Sequence, residues 1–134
     1  MSMTASHVLA VVLGGALGGI ARFWISGIVA RRFGEKFPWG TLVVNVSGAA
    51  LIGVAAGLLL ARGSQSIVEP TVWAVLVIGV LGSYTTVSSF SLQTLALLRS
   101  GERGRAAANV AASVCLCPAA AAAALWCVAW MTGG

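Results

Sequence analysis

Four stretches of this 134-residue chain, Val8–Ala30, Gly40–Ala61, Val72–Leu98 and Ala106–Thr132, are almost continuously apolar. A helix needs about 20 apolar residues to cross the ~30 Å hydrocarbon layer, so each stretch can span a bilayer. In hydrocarbon every backbone polar group must be satisfied internally, which makes each stretch a helix. The connections Arg31–Trp39, Arg62–Thr71 and Arg99–Arg105 are short, so neighbouring helices run antiparallel. The expected fold is an all-α integral membrane protein with four transmembrane helices, a single domain over residues 1–134. Composition agrees: 59% of residues are hydrophobic and only 8% charged, against roughly a quarter charged in soluble domains.

The few charges carry topological information. The net charge of +5 is scattered in short loops and forms no basic face, which argues against nucleic acid as a partner. Arg31, Arg32, Lys36, Arg99, Arg103 and Arg105 follow the first and third spans, whereas the opposite side has only Arg62. The positive-inside rule then puts those two connections in the cytoplasm and both termini outside. Trp39, Trp73, Trp126 and Trp130 lie near span ends, where interfacial anchors belong. Pro38 and Pro70 precede spans, where a helix start tolerates proline. The first apolar run lacks a basic leading region and is too long for a signal core, so it is read as a span. Cys115, Cys117 and Cys127 all fall in the fourth span and are read as free, buried small residues. Gly14-x-x-x-Gly18, Gly15-x-x-x-Gly19 and Gly53-x-x-x-Gly57 allow close helix approach, within one subunit or between two.

Polar residues inside the spans are the candidates for function, because such residues are costly in a membrane. Arg22 either snorkels to the interface or lines an anion-attracting vestibule. Asn45, in the uncharged run TLVVNVSGA, is either a packing hydrogen bond or a donor to a pore. Asn109, Ser113 and Cys117 recur at i, i+4 and i+8, one stripe on the fourth helix, unless the hydroxyl simply bonds back to its own backbone. The third span is the most unusual. Residues 79–94, GVLGSYTTVSSFSLQT, hold two glycines, Tyr84 and seven Ser or Thr hydroxyls at mid-membrane. Gly79 and Gly82 with Ser83, Thr85 and Thr86 predict a break in the helix there. Such a break exposes carbonyls that suit a hard cation such as sodium and a new helix N-terminus that suits an anion. Ser91 and Thr94 continue a hydroxyl line beside Phe90. Tyr84 is alternatively a buried aromatic with a bonded hydroxyl.

Absences narrow the class further. Glu35, Glu69 and Glu102 are all in loops, so no span holds a carboxylate, and no histidine is placed for proton transfer. Nucleophilic and acid–base constellations are missing, which argues against an enzyme. A proton-coupled exporter lacks the membrane carboxylate it would need. Taken alone, the residues describe a pathway for a small ion.

The segments GGALGGIARF (14–23), WGTLVVNVSGAALIG (39–53) and GVLGSYTTVSSFS (79–91) resemble the Fluc (CrcB) fluoride channels, in order and spacing, along nearly the whole chain. The resemblance implies a plasma-membrane channel that exports fluoride from the cytoplasm passively. It also implies an antiparallel dimer with two pores and a structural sodium ion at its centre, held by main-chain oxygens of Gly82 and Thr85. On the fluoride pathway it places Asn45, Phe90, Arg22, Ser113 and Cys117, with Asn109 at a position that is Tyr or Asn in many members. Ser91, Thr94 and Tyr84 are added from the reading of the third span.

One departure stands out. The family pattern TTFSTF reads TTVSSF here, so Phe90 is kept and Val87 replaces the other phenylalanine. An aromatic edge carries partial positive charge that can face an anion, and an isopropyl group does not. Val87 and the one-sided loop charges together predict a dimer with a homologous four-span subunit of opposite bias, a homodimer being the other possibility. A subunit that only completes such a partner's pore is the alternative function.

Overall fold

The computed structural model describes residues 5–61 and 70–133. Arg62 and most of the second connection lie outside the described residues, as does Gly134. Helix α1 (Ala5–Phe33) ends at Gly34, whose φ of 83° takes the left-handed conformation open to glycine. Helix α2 (Trp39–Ala61) follows directly. The third span is composite: α3 (Pro70–Trp73), a π-helical stretch Ala74–Leu81, α4 (Gly82–Tyr84) and α5 (Val87–Arg99). Gly101, with φ 79°, closes α5 by a Schellman arrangement in which Glu102 N–H donates to the Leu97 carbonyl at 2.8 Å. Helix α6 (Arg103–Met131) completes the chain, and Arg105 pairs with Glu102 at its start.

Among the described residues, four helical spans are long and apolar enough to cross a membrane: Ala5–Phe33, Trp39–Leu58, Val75–Arg99 and Arg103–Met131. The apolar residues face outward. Among the described residues the buried apolar side chains are only Leu42, Val44, Tyr84 and Ala106, while Phe23, Trp24, Leu92, Trp126 and Trp130 are exposed. Such a surface suits lipid as solvent and would associate in water.

Glycines set how closely the helices meet. A β-carbon built on Gly53 of α2 would collide with the Ala121 carbonyl of α6, and one on Gly57 would lie 2.8 Å from Val128 Cβ. Likewise a β-carbon on Gly14 would sit 2.8 Å from the Val75 carbonyl oxygen, and one on Gly18 would collide with that of Val80. Both motifs therefore pack inside one chain. Gly19 meets nothing within 4 Å.

Candidate functional site

The chain departs from helix at Thr85 and Thr86, between α4 and α5. Thr85 (φ −78°, ψ 157°) and Thr86 (φ −152°, ψ 123°) are both extended. Threonine is at home there, since its branched side chain favours extended backbone. Gly82, by contrast, is helical (φ −63°, ψ −32°). The departure thus sits three residues beyond the glycine invoked to explain a break.

Helix α2 braces this segment. Asn45 Nδ2 donates to the Thr86 carbonyl at 2.8 Å, and Thr86 N–H donates to Asn45 Oδ1 at 2.7 Å. The same turn of α2 also holds the residues before it. Ser47 Oγ donates to the Val44 carbonyl at 3.1 Å, so the 2.9 Å contact with Tyr84 has the phenol as donor. Gly48 leaves room for the Thr85 methyl group; a β-carbon there would collide with it. Tyr84 and Thr86 are buried. The Thr86 hydroxyl caps α5 by accepting from Ser89 N–H at 3.2 Å and lies 3.2 Å from the hydroxyls of Ser88 and Ser89.

Beyond the cap, the hydroxyl line turns out to be engaged with its own helix. Ser91 Oγ donates to the Val87 carbonyl at 2.9 Å and Thr94 Oγ1 to the Phe90 carbonyl at 2.7 Å. A hydroxyl has one hydrogen, so in this conformation both present only acceptor lone pairs. Asn109 of α6, only 2% exposed, uses Thr94 in that way, donating Nδ2 to Oγ1 at 2.9 Å. Asn109 therefore ties α6 to α5. Ser113 and Cys117 are half-buried further along α6, Cys115 and Cys127 are exposed, and Val87 is 76% exposed on the first turn of α5. The expectation of buried cysteines is not met: none of the three is buried, and Cys115 and Cys127 lie on the outward, apolar surface of α6, where a small apolar side chain needs no packing partner.

A cleft of about 700 Å³ leads from Thr86 to the end of the bundle where α1 and α5 stop. Arg22 and Ser26 of α1, Glu35 and Thr41 near the first connection, and Thr86, Ser89 and Gln93 line it. Arg22 is thus on the cleft wall and half-buried. Gln93, Ser89 and Thr41 were not singled out from the sequence. Gln93 carried a usable signal, an amide inside an apolar span; its Oε1 is buried without a hydrogen-bond partner. Phe90 is half-buried on α5. The segment brings together Asn45, Tyr84, Thr85 and Thr86, and the cleft adds Arg22. Ser113 and Cys117 are not brought to it by any hydrogen bond among the described residues.

The site offers amides, hydroxyls and main-chain carbonyls, the chemistry of ion passage. Among the described residues there is no cluster of three or more His, Cys, Asp or Glu side chains. Comparison with known proteins points the same way. A protein named fluoride-specific ion channel FluC 2, from Bradyrhizobium diazoefficiens, is 57% identical over 115 residues, which are 86% of this chain and 83% of that one. FluC 3 of Brucella suis biovar 1, also named a fluoride-specific ion channel, is 48% identical over 132 residues, 98% of this chain and 96% of its own. FluC of Opitutus terrae is 54% identical over 112 residues, 84% of each chain. The family model described as CrcB-like protein, Camphor Resistance (CrcB), matches residues 9–125, which include most of α1, all of α2, the extended Thr85–Thr86 pair and most of α6. With relatives named as channels rather than enzymes, and with that match over most of its length, the chain belongs to the CrcB-like family.

Proposed function

We propose that the chain is a subunit of a fluoride-selective channel in the plasma membrane that lets fluoride leave the cytoplasm passively and lowers its concentration there. The observation that carries this reading is similarity over nearly the whole chain to proteins named fluoride-specific ion channels. The site chemistry supports it. A small, strongly hydrated anion must exchange water for close donors, and it must also be able to leave. Arg22 on the cleft wall raises the local anion concentration. Ser89 and Gln93 offer hydroxyl and amide hydrogens deeper in, and Phe90 offers a ring edge. Asn45 retains a second amide hydrogen beyond the one given to Thr86. Ser91 and Thr94 act as donors only after their hydroxyls turn away from the Val87 and Phe90 carbonyls. Tyr84 and Asn109 hold the site's walls, and Ser113 and Cys117 extend the polar line on α6.

The functional unit in this reading is an antiparallel dimer with a structural sodium ion at its centre. The main-chain oxygens of Gly82 and Thr85 fit a hard cation, because they lie where the helical hydrogen-bond ladder is interrupted. When bound, sodium supplies a fixed positive charge to that cluster of carbonyl dipoles. The partner is a homologous four-span subunit with reversed loop charge. Liposomes loaded with fluoride and containing the purified chain, alone and with such a partner, test the reading. Rapid fluoride efflux with chloride retained is expected; no efflux in either arrangement overturns it.

A further inference from the structure

We infer that the Asn45 amide and the Thr86 hydroxyl are the two groups that keep the Gly82 and Thr85 carbonyls open for a cation, an inference that rests on the sodium reading above. In an unbroken α-helix each carbonyl accepts from the N–H four residues later. The Gly82 carbonyl would accept from Thr86, and the Thr85 carbonyl from Ser89. Both donors are drawn elsewhere. Thr86 N–H goes to Asn45 Oδ1 at 2.7 Å, and Ser89 N–H goes to Thr86 Oγ1 at 3.2 Å. Two side chains thus intercept the two N–H groups that would otherwise close the ladder over the two oxygens.

The interception is firm for physical reasons. Asn45 also donates to the Thr86 carbonyl at 2.8 Å, so one amide satisfies both main-chain polar groups of one extended residue, as a neighbouring strand would. Thr86 is only 7% exposed, so water does not compete for its N–H. Glycine flexibility does not account for the opening, since Gly82 itself is helical. Asn45 lies 41 residues before Thr86, on α2. The carbonyls are therefore opened by another helix and not by the local sequence alone. Asn45 and Thr86 are positioning residues in this scheme: they shape the cation site without supplying its oxygens.

Thermal unfolding of the purified protein in sodium chloride and in choline chloride gives the first test. The unmodified protein should unfold at a higher temperature in sodium. Asn45→Ala and Thr86→Val should lose most of that difference, and Thr86→Ser, which keeps the hydroxyl, should retain it. The readout is the difference between salts, so a general loss of stability does not imitate it. Full sodium-dependent shifts in both Asn45→Ala and Thr86→Val would overturn the inference and leave the sodium reading intact; absence of a shift in the unmodified protein would overturn both. Hydrogen exchange on the unmodified protein gives a second test that needs no variant to fold. The Thr86 and Ser89 amides should exchange slowly in both salts, because side chains hold them. Fast exchange of either amide in choline would show that the ion, not Asn45 and Thr86, holds the segment open.

Discussion

An amide inside a bilayer is tolerated when its donor and acceptor are both engaged, and Asn45 engages both on the main chain of a single residue, Thr86. Asn109 donates its amide between helices, from α6 to the Thr94 hydroxyl of α5. Replacing Asn109 with Ala should lower stability by about 1 kcal/mol, the order found for hydrogen bonds between membrane helices, with little loss of fluoride flux. Chemical denaturation and liposome efflux on one preparation check both halves. Phe90→Ile should instead reduce flux by about tenfold with the fold intact, as befits losing an aromatic contact of about 1.5 kcal/mol. Val87 is 76% exposed, so a phenylalanine there has room to sit. Val87→Phe should raise flux; a fall in flux or in assembly would mean that the valine is fitted to a partner surface. Asn45 and Arg22 could be picked from the sequence because a polar residue in an apolar run is conspicuous. Gln93 is equally polar, but it hides among the hydroxyls of residues 79–94, and only packing shows that it faces the cleft.

At the scale of elements, two adjacent glycines of α1 have opposite duties. Gly18 lies against the Val80 carbonyl, whereas Gly19 faces open space. Gly18→Ala should destabilise the protein by about 1–3 kcal/mol through overpacking. Gly19→Ala should be neutral or stabilise it by up to about 1 kcal/mol, the usual gain for alanine over glycine inside a helix. Unfolding temperatures of the two variants, measured side by side, decide this, and equal effects would refute the packing described. The paired glycine motifs were visible in the sequence, but their partners were not. Spacing shows that a helix can approach closely without showing which helix does. The extended pair Thr85–Thr86 has the same character: hydroxyls and glycines marked the region, while the exact residues depend on a side chain from α2.

At the scale of the molecule, the four spans were legible because hydrophobic length is a strong signal, and the ends differ from the observed helices by only a few residues. The π-helical winding was not legible, since residues 74–81 are uniformly apolar and carry no period. The ends of α1 and α5 share the mouth of the cleft, so Arg31, Arg32, Lys36, Arg99, Arg103 and Arg105 gather at one end of the bundle. That bias should fix a single orientation. A reporter fused after Gly134 should appear on one membrane side only. Similar signal on both sides, or strong fluoride conduction by this chain alone, would favour a homodimer over the proposed pairing.

The π-helical stretch Ala74–Leu81 has a consequence for how chains of this kind vary in length. A π turn is an α turn holding an inserted residue, and the surplus here lies upstream of Gly82. Removing one residue from the stretch would let the winding relax to α while the bracketed threonines keep their place against α2. Insertions and deletions inside a membrane span normally rotate everything that follows. Deleting one residue within 74–81 should therefore leave the contacts of Thr85 and Thr86 with α2 intact, whereas the same deletion in α5 should not; unfolding temperatures of the two variants check this.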